Sequence, residues 1–335
     1  MIFAYLLKLK DEFIKLNNTD YQTIYIGGGT PSMLNLEELT LIFETLKEIN
    51  PIEYTIEVNP ESYTHEKGLL FKKYGINRVS LGVQTFNETI LNKLNRKHSN
   101  KQVFAVIDDL INLGITNISV DLMFALPNQT IEDVIKDLNI VKTLPIKHLS
   151  YYSLILEEKT ILYKQYLMDE FTLNELETDM YLLIIDELTK QGFIHYEVSN
   201  FAKEEKYESL HNKLYWDLSY YDAIGTGAHG FNGENRYYYD CNVEKFIKSP
   251  TIHYEKQSKE TLLSDYLIFS LRMIKGVNLK TVKEKFLVDP LIKFPEVNDY
   301  IKDGFLEIVN DNLKVTKKGL LFLNQIELVF IWNTY

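Results

Sequence analysis

A single cysteine, Cys241, stands among 335 residues. That excludes an internal disulfide and any all-cysteine zinc or iron–sulfur centre built from this sequence alone. Uninterrupted apolar stretches are equally scarce. None approaches the roughly 18 residues a membrane-spanning helix needs, and the apolar start, Met1–Leu7, turns at once into Lys8-Leu9-Lys10-Asp11-Glu12. A signal peptide carries its charge first and ends in small residues, so the start reads as an amphipathic helix and the protein as cytoplasmic, without stable membrane insertion. Basic residues are outnumbered, 36 against 47 acidic, for a net charge of −11. Phosphate contacts need clustered Lys and Arg, so a nucleic-acid partner is not expected. No repeat and no low-complexity linker is present.

What remains is an ordinary globular composition, 45% hydrophobic and 25% charged, long enough for a large α/β domain with a smaller one. Short apolar runs at Thr23–Ile26, Tyr54–Val58, Arg78–Val83, Asn117–Met123 and His148–Leu156 alternate with helix-like stretches such as Leu36–Ile49 and Asn100–Leu113. In the last of these Val103, Val106, Ile107, Leu110 and Ile111 fall at helical spacing. Strand and helix in strict alternation predict right-handed βαβ units in a parallel sheet or barrel. From about Thr172 the pattern loosens into a helix over 174–191 and a strand-like Ile194–Val198. A change near Ser258 opens a tail of three helices and a hairpin around Asn310-Asp311-Asn312, a winged-helix-like module suited to packing or partner contact. The division read from the sequence is 1–172, 173–257 and 258–335.

Polar residues sit where these strands end. Gly27-Gly28-Gly29-Thr30-Pro31 follows the first strand, and its glycines let backbone approach a ligand closely. It lacks the Lys-Ser/Thr ending of a phosphate loop and the spacing of a dinucleotide fingerprint. A plain strand-to-helix turn is the alternative. Glu57, Gln84 and Asp121 mark three further strands. Any one of them alone could be a structural acceptor, but strand ends at one mouth converge on one pocket. Carboxylates and an amide there suit an amino group and ribose hydroxyls. Arg96 suits a carboxylate in fork geometry, with a surface helix-end cation as its alternative.

These segments resemble a known family. Tyr25-Ile26-Gly27-Gly28-Gly29-Thr30-Pro31-Ser32, Ile56-Glu57-Val58-Asn59-Pro60-Glu61, Asn77–Phe86 and Val120–Pro127 are similar, in order and spacing, to radical S-adenosylmethionine (SAM) proteins related to oxygen-independent coproporphyrinogen III oxidase. The resemblance implies a partial (β/α) radical SAM barrel lacking its first strand, with the C-terminal module. It implies SAM contacts at Gly28, Gly29, Thr30, Glu57, Gln84, Arg96 and Asp121. His211-Asn212-Lys213-Leu214-Tyr215-Trp216 resembles the haem-chaperone branch, with His211 as a haem contact. On the residues alone, a histidine capping a turn beneath a buried tryptophan is the preferred reading. His229, in the later glycine-rich Gly225–Gly230, is a further candidate in the same family pattern. The resemblance implies haem as cargo and haem-accepting proteins as partners, with a homodimer left open. The alternatives are coproporphyrinogen III oxidation or a cluster-free SAM-binding module.

The family also implies a [4Fe–4S] cluster on a Cys-x3-Cys-x2-Cys loop after the first barrel strand. That loop and its strand have no counterpart here, so no metal ligand is expected in this sequence. Either the chain is an N-terminally shortened version or it is a cluster-free relative. Retention of Glu57, Gln84, Arg96 and Asp121 favours the first.

Overall fold

The computed structural model describes residues 1–158, 160–168 and 174–331. Contacts gather them into two compact units, one formed by 19–195 with 199–208, the other by 1–18, 196–198 and 209–335. The boundary expected at 172/173 lies outside the described residues. The helix Ile2–Leu16, read from the sequence as leading into the barrel, groups with the second unit.

The first unit is organised by a sheet. The strands of that sheet are β1 (Thr23–Ile26), β2 (Glu53–Val58), β3 (Arg78–Gln84), β4 (Asn117–Phe124), β5 (His148–Ser153), β6 (Ile194–Glu197), whose last two residues group with the second unit, and β7 (Asn200–Ala202). Among the described residues their order is β1-β2-β3-β4-β5-β7-β6. β1 to β5 run parallel, each joined to the next through helix, and β7 is antiparallel to β5. The connecting helices start where short polar side chains satisfy their first amides: Asn35 accepts from Glu38, Ser99 from Gln102 and Thr130 from Asp133, each in a reciprocal capping box.

One face of the sheet is apolar. Ile56, Val58, Val79, Leu81, Val83, Ile118, Val120, Leu122 and Leu149 are all buried, each stabilising the fold by roughly 1.5–3 kcal/mol. Helices cover this face: Phe43 packs edge-on against Tyr54 and Phe71, and Tyr181 stacks on Phe124. Side chains alternate across a strand, so the residues between these apolar positions form the opposite face, and they are polar. A parallel sheet buried in apolar material on both sides reads as continuous hydrophobic runs. This one does not, because its second face carries the candidate site.

The second unit holds β8 (His229–Phe231), β9 (Asn235–Tyr239) and β10 (Ile252–Lys256), in the order β10-β9-β8. Tyr5 of the helix Ile2–Leu16 packs on Phe246, which lies against Tyr239. After Ser258 come helices Lys259–Leu271, Leu279–Phe286 and Val297–Lys302. Strands β12 (Leu306–Val309) and β13 (Asn312–Val315) form a hairpin, and β11 (Val277–Asn278) pairs with β13. Asn310 and Asp311 have φ of 51° and 64°, the two left-handed residues that a two-residue hairpin turn matching strand twist requires. Leu267, Leu271, Val282, Leu313 and Ile326 centre the core of this module. The expected three helices and hairpin are present, and short helices at Pro290–Lys293, Lys317–Leu320 and Leu323–Leu328, with the extra strand β11, add to them.

Candidate functional site

The polar face of the first unit is built in rows by strand register. Tyr25 lies beside Thr55, and Thr55 beside Arg78. Glu57 pairs with Ser80, Ser80 with Ser119, and Ser119 with His148. Gly82, Asp121 and Ser150 make a third row. Carboxylates, a guanidinium, an imidazole and hydroxyls thus share one surface.

Each charge is answered by particular neighbours. The Tyr25 hydroxyl donates to Glu57 Oε1 at 2.8 Å, and the Gly28 amide also donates to that carboxylate. Burial nevertheless raises the Glu57 pKa above the usual range, and the Asp121 charge adds to the rise. Asp121 receives the Ser80 hydroxyl at 2.7 Å and the Ser119 hydroxyl at 3.2 Å. Ser150 donates to it too, yet burial still pushes its pKa up. Arg78, 2% exposed, supplies the positive field that partly offsets these carboxylates. Arg78 Nη2 lies 3.3 Å from His148 Nδ1, and Ser119 Oγ 2.8 Å from the same nitrogen. Burial, with Arg78 beside it, holds the His148 pKa well below its usual value, leaving the ring neutral. The Tyr152 hydroxyl donates to Gln84 Oε1 at 3.4 Å. Its pKa is pushed up to about 12 by burial, with Asp121 and Glu57 raising it and Arg96 lowering it. The fields of Glu57, Asp121 and Arg96 therefore meet at Tyr152.

The glycine loop is shaped by close approach. A Cβ on Gly27 would stand 2.6 Å from the Tyr25 ring and 2.9 Å from Glu57 Oε1, so only glycine fits under the Tyr25–Glu57 bond. Gly28 has φ +88°, and neither it nor Gly29 has anything within 4 Å of a Cβ position. Backbone there is open to a ligand. Thr30 turns its hydroxyl back onto Gly29 O at 2.6 Å, and Asn59 Nδ2 approaches Thr30 Oγ1 at 3.4 Å. Ser32 Oγ accepts from Asn59 N at 2.9 Å, tying this loop to the end of β2. Arg96 is half-buried and has no carboxylate partner among the described residues.

Six of the expected positions, Gly28, Gly29, Thr30, Glu57, Gln84 and Asp121, lie in or beside this sheet, and Arg96 reaches it electrostatically. Sequence reasoning missed Tyr25, Arg78, Ser80, Ser119, His148, Ser150 and Tyr152. The signal was there in the period-two alternation of Arg78-Val79-Ser80-Leu81-Gly82-Val83-Gln84 and Asn117-Ile118-Ser119-Val120-Asp121.

His211 belongs to the second unit. It lies on the short helix Leu210–Trp216, whose first turn is capped by the Ser209 hydroxyl accepting from Asn212 N at 3.3 Å. His211 and Tyr215 face each other across one turn, as residues four apart do. Their rings meet edge-on at 4.8 Å, and 2.8 Å separates the Tyr215 hydroxyl from His211 Nε2. Tyr221 packs edge-on against Tyr215 at 4.5 Å, and burial pushes the Tyr215 pKa up to about 12. The Trp216 ring is covered by the Arg272 guanidinium, 4.9 Å from its centroid, and by Phe269. Among the described residues, Trp216 Nε1 is buried without a hydrogen-bond partner.

The parallel sheet with helices on one face and a polar site on the other is the architecture of the radical SAM superfamily, which matches residues 5–141; residues 257–322 match the HemN C-terminal domain. The chain is 34% identical over 96% of its length to "Heme chaperone HemW" of Bacillus subtilis, covering 89% of that protein. It is also 34% identical over 97% of its length to "Heme chaperone HemW" of Lactococcus lactis, covering 88% of it. The structure superposes on coproporphyrinogen III oxidase (HemN) of Escherichia coli with a TM-score of 0.83 at 20% identity, over 98% of this chain and 83% of that one. That likeness fixes the fold. The chain belongs to the HemW heme-chaperone family within the radical SAM superfamily.

That superfamily implies SAM and a [4Fe–4S] cluster. For SAM the residues fit: an open glycine loop, two half-buried carboxylates, and, among the described residues, Arg96 without a carboxylate partner and the partnerless buried atoms Thr55 Oγ1 and Arg78 Nε on the same face. For the cluster they do not. The sequence offers one thiol, on exposed Cys241, whereas such clusters are held by several cysteine thiolates. Among the described residues no helix is long and apolar enough to cross a membrane.

Proposed function

We propose that this chain binds haem through His211 and delivers it to acceptor proteins, and that it holds SAM on the polar strand ends. One observation carries the haem reading: a half-buried imidazole set among Tyr215 and Tyr221, next to Trp216, in a chain 34% identical to heme chaperones. A neutral imidazole nitrogen is a haem-iron ligand, and aromatic faces pack against the porphyrin plane. His211 Nε2 is already engaged by Tyr215. Ligation through that nitrogen requires the phenol to turn aside, so capture and release of haem become an exchange of one partner for another.

Bound SAM supplies an amino-acid head, a ribose and a sulfonium. Glu57 and Asp121 accept from its amino group and ribose hydroxyls, Arg96 takes its carboxylate in a fork, and the glycine loop lies against it. Raised carboxylate pKa values favour a cationic or hydroxyl-rich occupant, which restores the positive charge and hydrogen bonds that burial removed. Haemin titration tests the function. A red-shifted Soret band that saturates in wild type and is largely lost in His211→Ala supports it; equal spectra would return His211 to a turn-capping role.

A further inference from the structure

The end of β3 bends abruptly at Gln84. Gln84 has φ +69°, a region glutamine rarely adopts. Across it the Thr85 amide donates to Val83 O at 2.9 Å. A hydrogen bond from residue i+2 back to i around a φ-positive residue is the strained form of γ-turn. The register against β4 slips at the same place, Gly82 facing Asp121 but Gln84 facing Leu122, as at a bulge that re-aims a side chain. Strain of this kind persists only where surroundings over-determine it.

The surroundings do so through one carboxylate. Asp137, on the helix Ile131–Val141, is 1% exposed. One of its oxygens receives the Thr85 hydroxyl at 2.8 Å and the other the Phe86 amide at 2.8 Å. Secondary ties close the loop: Asn87 N donates to Thr85 Oγ1 at 3.1 Å, Asn100 Nδ2 to Phe86 O at 2.9 Å, and His98 Nε2 lies 3.2 Å from Val83 O. Among the described residues no cation pairs with Asp137. Asp133, one turn earlier, adds a like charge, itself 3.8 Å from Lys136; Tyr151 of β5 faces it with a fully buried ring. A buried carboxylate without a counter-ion is costly. Burial pushes its pKa up to about 7.

We propose that Asp137 is a positioning residue: by accepting from Thr85 and Phe86 it holds the Gln84 γ-turn and so aims the Gln84 amide at the ligand on the polar strand ends. This rests on the SAM reading above. An ionised Asp137 accepts both bonds. In a protonated one the bond to Thr85 reverses, the carboxyl O–H donating to Thr85 Oγ1, and both bonds lose their charge assistance, so the clamp weakens.

SAM itself is the probe, titrated calorimetrically into the full chain on either side of pH 7. Wild type is expected to bind more weakly on the acid side. Asp137→Asn, which keeps the shape, should bind about tenfold more weakly, the factor by which relaxing such a turn depletes the competent state, and should lose the pH step. Thr85→Val, which removes one hydroxyl, should lose less and keep the step. Amide hydrogen exchange at Thr85 and Phe86 needs no ligand and should quicken in both variants. Unchanged exchange and unchanged SAM affinity in a folded Asp137→Asn would overturn the proposal. If exchange quickens while SAM ignores a parallel Glu57→Gln, the SAM reading fails and the hold of Asp137 on the turn is supported.

Discussion

The strand-end site and the Leu210–Trp216 site solve opposite problems. On the sheet, Arg78 and His148 are buried and Glu57 and Asp121 half-buried, and the carboxylates depend on a dense set of fixed donors, Ser80, Ser119, Ser150, Tyr25 and a loop amide. Such a network is costly when half satisfied and rigid when complete. On the short helix the polar tie between the site rings is a tyrosine–histidine bond, surrounded by aromatic edges. Breaking it leaves no buried charge behind. A frame of the first kind suits a ligand that must be oriented, and one of the second kind suits cargo that must be let go.

The largest effect should come from the cation in the frame. Arg78→Leu removes the buried positive field acting on Asp121 and is expected to destabilise the first unit by about 3 kcal/mol, read from urea midpoints. A change below about 0.5 kcal/mol, the size of an ordinary surface substitution, would mean that the serines alone carry the carboxylates.

Next is the pH dependence set by Asp137. Its pKa is raised to about 7, so the folded state holds a proton that the unfolded state releases nearer pH ~4. Stability therefore falls as pH rises from the unfolded value toward about 7, and Asp137→Asn removes that slope. The difference between the two stability profiles should change by about 3 kcal/mol between pH ~4 and pH ~7. Parallel profiles would show that Asp137 is not shifted.

Ligand affinity comes third. Asp121→Asn and Glu57→Gln should each weaken SAM about tenfold, the scale of one charge-assisted hydrogen bond. Unchanged calorimetric affinity in both would remove SAM from this face. The smallest effect falls on the other site. Tyr215→Phe releases His211 Nε2 from the phenol while keeping the ring contacts, and haemin should bind a few-fold more tightly. Weaker binding would make the phenol a haem contact rather than a competitor.

Much of this was legible in the sequence. The strands from Thr23, Tyr54, Arg78, Asn117 and His148 were visible as β-branched runs between helical periods, and the glycine loop, Glu57, Gln84 and Asp121 as polar ends to apolar runs. Arg78, Ser119 and His148 were not picked out, because one polar residue inside an apolar run looks structural until register sets three such residues side by side. Asp137 sits in a helix with Asp133 and Lys136, where charge ordinarily means solvent, although it falls in phase with the buried Val134, Leu138 and Val141. The grouping of Ile2–Leu16 with the second unit comes from contacts such as Tyr5 with Thr226, far apart along the chain, which no local pattern records. The His211–Tyr215 bond was not read from the sequence either; it shows once the helix Leu210–Trp216 sets the two side chains one turn apart.

The most direct test of the account is the coordination of bound haem. Resonance Raman and electron paramagnetic resonance spectra of haemin-loaded wild type should carry a histidine-ligated signature. His211→Ala should lose it, and added imidazole should restore it. The same signature in His211→Ala without imidazole would contradict the assignment of this helix as the haem site.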